Sequence, residues 1–310
     1  MNFSDEAIGF LREACKEMEI TRPLRDFPEY ALATCTFRNM EAGNGRCGFL
    51  IVPRPPKAER GEIFAAQIRS DAIQSFMGHL RKSMDAAVIY EDRWYRENGN
   101  IRLRIEARIS HFEQIMGRKC TVRRITGPEA DDFLDRYHSY GSSKCKYRYG
   151  TFSQEGRLIA VSTFSGARRW QKPEGTVSSY EWIRYASLPG MRIAGGMGKS
   201  LNAFIAETAP DDIMSYADLE WSDGRVYETL GFAFENVTPP QSFIVSGNKR
   251  EPTKRLSEKS AMEIIGNDPD AYIICNLGSG KFRLKRKAWQ SPLPKEPPRL
   301  ALQSSASPKD

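Results

Sequence analysis

The sequence has few of the residues that build metal sites and no segment that could cross a membrane. It contains three histidines and six cysteines, and no two cysteines form a C-x-x-C pair, so we expect no metal site. No run of about 18 apolar residues occurs, and the acidic, amphipathic start lacks the apolar core of a signal peptide. We therefore expect a cytoplasmic protein with no membrane partner, whose cysteines are reduced thiols.

Signatures of hydrolytic enzymes are also missing. There is no H-N-H cluster, and no lysine stands two residues after Glu220, so the acids of "DLEW" (218–221) do not match a nuclease motif. A Cys–His hydrolase would need a long coincidence among so few histidines. His138, for example, ends a predicted helix, where a cation is favourable in any case. A nuclease is therefore the weakest of the function classes considered.

The chain does contain enough apolar residues for a core, and an excess of positive charge. Of its 310 residues, 40% are hydrophobic and 11% are aromatic, which suffices for two modest domains. The net charge of +7 at pH 7 favours a polyanionic partner, such as nucleic acid or a nucleotide cofactor. The alternative is that this charge serves solubility alone.

Four segments differ in composition and pattern. Residues 1–117 mix helix and strand patterns without indicating a role, so we expect a small α+β domain there. Residues 118–246 predict the order β-α-β-β-β-loop-α-β-α-β-β, with "FAFENV" and "SFIVS" as the last two strands. Residues 247–289 should form a basic extension with a late hairpin, and the Pro- and Ser-rich residues 290–310 should be disordered.

The stretch "RIAGGMGKSL" (192–201) places three glycines where a helix must begin. The first N–H groups of a helix have no internal partners and its dipole is positive at that end, while glycine lets a phosphate approach bare backbone. The spacing matches neither G-x-x-x-x-G-K-[ST] nor G-x-G-x-x-G. The loop is therefore either a phosphate cradle or a tight turn needed for packing.

This strand order and the position of the glycine loop resemble the GNAT superfamily of acyl-CoA-dependent N-acyltransferases. The resemblance implies an α+β fold with a mixed, mostly antiparallel sheet flanked by helices, preceded here by the smaller α+β N-terminal domain, and acetyl-CoA or another acyl-CoA as cofactor. In that superfamily an x-x-x-G-x-G/A loop binds pyrophosphate; here "IAGGMG" supplies it, with Ile193 where Gln or Arg is usual. The cofactor-binding residues implied are Arg192, Gly195, Gly196, Met197, Gly198 and Lys199.

A second match is "GRVYETLGF" (224–232), which resembles the late helix of the superfamily, often Y-x-x-x-G-F. By that resemblance Tyr227 would protonate the departing thiolate, a role that a phenol with a pKa of about 10 can fill. The alternative is a tyrosine packed between helix and sheet, with Gly231 as a helix C-cap. The block 213–232 more narrowly resembles GNAT-like domains of phages and mobile elements and, distantly, Mom-type DNA-modification proteins.

Further candidates precede this tyrosine. Asp218 and Glu220 alternate at the end of a predicted strand, so both carboxylates should share one face, where they can accept protons from an amine. Trp221, Ser222 and Asp223 follow as candidate substrate contacts. Core packing is the alternative for Trp221, and capping of the next helix is the alternative for Ser222 and Asp223.

Other candidates combine charge with aromatic side chains. Glu181 and Arg184 are expected on opposite faces of a strand as substrate contacts, with an ion pair to a neighbouring strand as the alternative. Arg168, Arg169 and Trp170 suit phosphate contact with base stacking. Two more basic clusters contain Arg136, Lys144, Lys146 and Arg148, and Lys281, Arg283, Lys285, Arg286 and Lys287. We therefore expect an acyltransferase that acts on nucleic acid or, as the alternative, a non-catalytic GNAT-like module that binds nucleic acid.

Overall fold

Two sheets of unequal size dominate the fold. In each sheet, antiparallel strands are followed along the chain by a helix and then by a strand that pairs in parallel with the strand before the helix. The computed structural model describes residues 2–39, 43–97, 99–109, 112–172 and 175–285. The tail expected to be disordered lies outside the described residues. The predicted fold class, a mixed α+β architecture with sheets flanked by helices, is confirmed.

The first part of the chain builds a four-stranded sheet between two layers of helices. Its elements are α1 (Phe3–Ala14), β1 (Glu17–Thr21), β2 (Ala31–Asn39), β3 (Gly43–Val52), α2 (Ile63–Leu80), β4 (Asp85–Tyr90), α3 (Glu91–Glu97), α4 (Gly99–Arg108) and β5 (Glu113–Met116). The strand order is β1-β2-β3-β4, and only β4 runs parallel to its neighbour. Ile51 packs with α1 and α4 on one face, and Leu50 packs with α2 on the other. Because both faces are covered, residues 47–52 of β3 and 86–90 of β4 carry no charged side chain.

The second part builds the eight-stranded sheet. Its elements up to residue 238 are β6 (Thr121–Arg124), α5 (Gly127–Tyr137), β7 (Tyr147–Phe152), β8 (Leu158–Phe164), β9 (Arg168–Lys172), β10 (Gly175–Ser187), β11 (Met191–Ala194), α6 (Gly196–Thr208), β12 (Asp212–Asp218), α7 (Arg225–Thr229) and β13 (Ala233–Thr238). Thr126 and Glu129 form a capping box at the start of α5. The helix predicted over residues 101–116 ends early, because its last residues form β5 and pair in parallel with β11.

The remaining elements change the expected end of this sheet. They are β14 (Ser242–Ser246), β15 (Lys249–Pro252), α8 (Glu258–Asn267), β16 (Tyr272–Cys275) and β17 (Ser279–Lys285). The large sheet has the order β13-β17-β12-β10-β8-β7-β6, with β9 paired to β10. "SFIVS" is therefore not its last strand but β14 of a separate β15-β14-β16 sheet, where Ile244 packs against Ala66 of α2. The place beside β12 is filled by β17, whose Phe282 and Leu284 are buried in the core of the large sheet.

Candidate functional site

The parallel strands β10 and β12 separate partway along their length. They share four residue pairs, the last being Trp182↔Ser215, although both strands continue beyond it. At the same point Ile183 forms a β-bulge, because the pairing of β10 with β8 shifts register there. We call the resulting opening the fork, lined by residues 183–187 of β10 and 216–218 of β12. Along the fork the two strands do not satisfy each other's backbone N–H and C=O groups.

The glycine loop joins this end of the sheet to α6. Gly195 adopts φ 74°, in the left-handed region that favours glycine. A Cβ atom on Gly196 would lie 2.6 Å from the Cγ2 atom of buried Ile193, so close packing also requires a glycine. The first bond into the helix runs from the Lys199 N–H to the Gly195 carbonyl, and the first three N–H groups of α6 have no acceptor among the described residues. The loop thus combines a tight turn with bare backbone donors.

Two cations expected at this loop are held by other groups. The Lys199 Nζ atom donates to the carbonyl of Gly117, at 3.2 Å, and to the carbonyl of Cys120. Gly117 begins a turn over residues 117–120. A Cβ atom on Gly117 would lie 2.7 Å from the Ala194 carbonyl oxygen, so this turn directly contacts the glycine loop. Arg192 is exposed, with its guanidinium 5.4 Å from the ring centre of Phe112. Lys199 therefore holds the glycine loop against the turn at residues 117–120.

Tyr227 lies where the fork opens. Its hydroxyl oxygen is 2.9 Å from the Oγ atom of Ser215, the last residue of β12 that pairs with β10. Its ring stacks on Phe282 with centroids 5.2 Å apart, in the cluster that Met197 also contacts. Burial raises the pKa of Tyr227, so the phenol stays protonated at neutral pH. The residue is thus both packed between helix and sheet and close to the site expected for an acid.

Asp218 and Glu220 belong to a buried charge network that joins the two parts of the chain. The network consists of Asp92, Arg93, Glu97, Asp218, Glu220 and Arg250. Arg93 donates to Asp218 at 3.2 Å and to Glu220, and Arg250 donates to Glu220 at 2.8 Å. Glu220 is 0% exposed, so solvent does not reach its side chain. The two carboxylates are brought together, but by arginines and not at an open surface.

Within this network, charge pairing lowers the pKa of Glu97. Burial alone would raise the pKa of Glu97, but Arg93 and Arg104 hold that pKa down to about 2. Sequence reasoning missed Arg93 and Arg250, which lie 125 and 30 residues from Asp218 and Glu220 along the chain. No local motif marks them, because an ion pair at such separation depends on the complete fold.

The three residues after Glu220 have structural contacts. Trp221 is buried in the N-terminal core, with the Arg104 guanidinium 4.0 Å from its ring centre. The Ser222 Oγ atom accepts from the Gly224 N–H at 3.0 Å. Asp223 accepts from the backbone and side chain of Arg225. The serine and the aspartate thus stabilise the turn that leads into α7, and the tryptophan packs against the first part of the chain.

Glu181 and Arg184 lie on the same face of β10, which corrects the expectation of opposite faces. The extra residue in the bulge at Ile183 reverses the side-chain alternation between them. The Arg184 Nε atom donates to the Gly141 carbonyl at 3.2 Å, and its guanidinium lies 6.0 Å from the ring centre of Tyr140. On this face the hydroxyl of Tyr140 donates to Asp218 at 3.2 Å.

The basic cluster around Trp170 lies far from the fork. Trp170 is opposite Val177 in the β9–β10 hairpin, and β10 continues ten residues from there to Ser187. At about 3.3 Å per residue, the ring is roughly 30 Å from the end of the fork. Arg168 and Arg169 directly precede it in β9, and Trp170 is 55% exposed. The structure does not bring these three residues together with Tyr227.

Several cations in the other basic clusters are already paired. Arg136 forms an ion pair with Asp132, while Lys281 and Arg283 both pair with Glu235. Arg286 and Lys287 lie outside the described residues. Among the described residues, no group of three or more His, Cys, Asp or Glu side chains is placed to hold a metal ion. None of the described helices combines the length and apolar character that a membrane crossing requires.

Known proteins offer limited comparison. No family model matches the chain, and no curated protein matches it. A solved histone acetyltransferase HPA2 and related acetyltransferase from Corynebacterium glutamicum aligns at 12% identity over 53% of this chain and 95% of that one, with a TM-score of 0.32. A spermidine N-acetyltransferase from Vibrio cholerae aligns at 9% identity over 56% and 96%, with a TM-score of 0.34. A chain of the NatC complex bound to Gag peptide and CoA aligns at 12% identity over 54% and 98%, with a TM-score of 0.32. At these scores none of the likenesses assigns a function.

Proposed function

We propose that the chain is an N-acyltransferase of the GNAT type that uses acetyl-CoA or another acyl-CoA. The observation that carries the proposal is the meeting of three features at one end of the large sheet. These are the fork between β10 and β12, the bare N–H groups at the start of α6, and the phenol of Tyr227. Each alone has a packing explanation, but the three together supply a place for an extended arm, for a phosphate and for a proton donor.

The residues present suit the parts of such a cofactor. The glycine loop and the first turn of α6 would hold the pyrophosphate, since helix N-termini bind anions through backbone N–H groups. The free edge of β10 would bind the amide-bearing arm, as a sheet edge binds an extended peptide. When bound, the cofactor would supply a thioester whose acyl group can pass to an amine. Tyr227 would hold a proton at its hydroxyl oxygen and give it to the leaving sulfur.

We propose a different role for Asp218 and Glu220 than proton transfer. Arg93 and Arg250 already neutralise Glu220, and Arg93 and Tyr140 both donate to Asp218. These charge-assisted bonds occupy both carboxylates, so neither is open to receive a substrate amine. Asp218 is the last residue of β12, and Glu220 lies in the turn that leads to α7. Their role is to hold that turn, and through it Tyr227, against the first part of the chain.

Thermal unfolding with and without acetyl-CoA tests the cofactor assignment. At a concentration of about 100 times Kd, acetyl-CoA should stabilise the protein by about 2.7 kcal/mol. Gly198→Val should remove this gain, because an added Cβ would lie 3.3 Å from the Leu230 Cδ2 atom and a valine there would displace the first turn of α6. Gly99→Val is the matched control: Gly99 is in the first turn of α4, and an added Cβ there meets nothing within 4 Å. An unchanged gain in Gly198→Val would leave the glycine loop as a turn only.

We propose nucleic acid as a partner of the β9–β10 hairpin. The exposed ring of Trp170 directly follows Arg168 and Arg169 in β9, a combination that stacks on bases and contacts phosphates. The distance from the fork makes this a docking contact. Single-stranded DNA and RNA binding should weaken with salt, and Trp170→Ala should weaken it at every salt concentration. Binding that is insensitive to salt and to this substitution would contradict the assignment.

A further inference from the structure

We propose that the acceptor of the acyl group is a small zwitterion, whose amine is received by Glu181 and whose carboxylate or phosphate is held by Arg184. The inference rests on the proposed acyltransferase function and names the chemical class of its second substrate. Its basis is the face of β10 at the start of the fork, where the bulge at Ile183 places one carboxylate and one guanidinium on the same face of the strand.

Glu181 differs from the other carboxylates near the fork. Asp92, Glu97, Asp218 and Glu220 all accept bonds from arginine within the buried charge network. The carboxylate of Glu181 is half-buried, and among the described residues it accepts no hydrogen bond and lies more than 4 Å from every cation; Arg184 is close enough to interact with it electrostatically. A carboxylate that is partly desolvated and unpaired gains from binding an ammonium group, and it can then take a proton from it.

Arg184 has the complementary property. Arg93, Arg104 and Arg250 each pair with a carboxylate, whereas the described contacts of Arg184 are the carbonyls of Gly141 and of Ile183. Its guanidinium is half-buried, and no carboxylate among the described residues lies within 4 Å of it. A guanidinium in this state is a ready partner for a carboxylate or phosphate, since it can bind either with two parallel hydrogen bonds.

Tyr140 gives this pair of charges an exposed aromatic wall. Its ring lies between the guanidiniums of Arg93 and Arg184, at 5.5 and 6.0 Å, and its hydroxyl bonds to Asp218. It is 45% exposed, so a ligand can reach it from solvent. His138 does not compete as a base, because its Nδ1 atom accepts the Tyr140 N–H. The ligand would therefore lie on Tyr140, with its charged ends toward Glu181 and Arg184.

The proton balance of the transfer follows from these positions. The ammonium group of the acceptor gives its first proton to Glu181, which releases it to water. The N–C bond to the acyl carbon forms as the C–S bond breaks. The second proton leaves the nitrogen and ends on the sulfur, because Tyr227 gives its own proton to the sulfur and regains one from the nitrogen. No oxidant, reductant or metal is needed.

The test measures free CoA released from acetyl-CoA with paired acceptors. One set is a panel of α-amino acids and phosphoethanolamine; the matched set is the amino acid amides and ethylamine, which keep the amine but lose the anion. We expect kcat/KM at least tenfold higher for the zwitterions. Arg184→Met should remove most of that preference by raising KM for the zwitterions only, while Glu181→Gln should lower kcat for both sets. The exposed residues Arg157 and Glu228 supply matched controls, Arg157→Met and Glu228→Gln.

The outcomes separate this inference from the proposal on which it rests. If acetyl-CoA stabilises the protein but zwitterions and uncharged amines react equally, the role of Arg184 is wrong. If acetyl-CoA stabilises it and no member of either set reacts, the acceptor is of another class, such as a polynucleotide, and the inference is wrong. If acetyl-CoA does not stabilise the protein at all, the acyltransferase proposal fails first. In the first two arms, acetyl-CoA-dependent stabilisation of Arg184→Met and Glu181→Gln shows whether these variants fold; in the third, their cooperative urea unfolding shows it.

Discussion

The two parts of the chain repeat one arrangement of helices and strands, but their parallel strands pair to different extents. Each has a helix, three antiparallel strands, a crossover helix, a parallel strand and a short helix: α1, β1–β3, α2, β4 and α3 in the first part, and α5, β7, β8, β10, α6, β12 and α7 in the second. In the first part, β3 and β4 pair without interruption from Cys47↔Asp85 to Val52↔Tyr90. In the second, β10 and β12 separate after four pairs. The two parts therefore share the arrangement, and the second differs by the break in pairing at which we propose the cofactor site.

The entries to the two crossover helices differ in the same sense. The segment "PRPPKAERGE" (53–62) leads into α2 and places the acidic side chain of Glu62 at its N-cap, where a carboxylate repels an anionic ligand. The approach to α6 is the glycine loop, which leaves backbone donors bare. The first part thus serves as a support. It provides Arg93 and the surface on which Trp221 packs.

The largest expected effect comes from cutting the link between the two parts. Arg93→Met leaves Glu220, which is 0% exposed, with one of its two arginine partners. Loss of one partner in a buried network should cost about 3 kcal/mol of unfolding free energy. Urea unfolding measures it, with the exposed Arg157→Met as a control that should change by less than about 0.5 kcal/mol. A loss below about 1 kcal/mol would show that the first part is only loosely coupled.

The next largest effect is on turnover, and it compares a tyrosine near the end of each parallel strand, Tyr227 near β12 and Tyr90 in β4. Tyr227→Phe should lower turnover about 100-fold, the usual contribution of a general acid, while stabilisation by acetyl-CoA persists. Tyr90→Phe is the matched change at the end of β4, since the Tyr90 hydroxyl has no partner in the described part of the chain. It should leave turnover unchanged. Equal turnover in both variants and the wild type would return Tyr227 to a packing role.

A smaller effect is the pH dependence of stability that His138, next to Tyr140, should produce. Burial, together with Arg184 and Arg104, lowers the pKa of His138 from 6.5 to about 3. The unfolded chain therefore binds a proton that the folded chain refuses between these values, so stability falls as the pH falls from 6.5 toward 3. Glu97, whose pKa is held near 2, adds the same trend only below about 4.5.

Urea unfolding between pH 6.5 and 5 isolates the histidine. His138→Asn keeps an acceptor for the Tyr140 N–H but cannot take up a proton in this range. Its stability should depend less on pH than that of the wild type. An identical pH dependence in both proteins would show that His138 is not the group responsible.

The smallest effect compares one glycine from each part. Gly195→Ala should destabilise by about 1 kcal/mol, because φ 74° is costly for a residue with a Cβ atom. Gly9→Ala should stabilise by roughly 0.5–1 kcal/mol, since Gly9 lies inside α1 and its added Cβ would meet nothing within 4 Å. Thermal unfolding of both variants gives the signs. The same sign at both positions would contradict the difference in backbone conformation.

Local sequence patterns predict many of the secondary-structure elements in the second part of the chain. The glycines of 195–198, the helix that follows them and the tyrosine helix near Tyr227 were predictable, because capping and periodicity act over a few residues. The bulge at Ile183 was not, since the sequence around it alternates normally and the extra residue shows only against β8. Nor was the insertion of β17 between β12 and β13, because an alternating strand does not identify its partner.

The candidate site was predictable in part for the same reason. Because Asp218 and Glu220 are close in sequence, they were expected to form an accessible pair of carboxylates. In the structure, arginines distant in sequence form ion pairs with them. Glu181 and Arg184 were singled out, but their shared face depends on the bulge. Tyr140 was missed, because only the fold places its loop over β10 and β12.

Hydrogen–deuterium exchange with and without acetyl-CoA tests the central claim most directly, because it reads both parallel pairs in one experiment. If the fork and the glycine loop bind the cofactor, exchange should slow over residues 183–198 and 215–218. It should remain unchanged over the paired strands 47–52 and 85–90. Protection of the first pair, or no protection of residues 183–198 at saturating acetyl-CoA, would contradict the account.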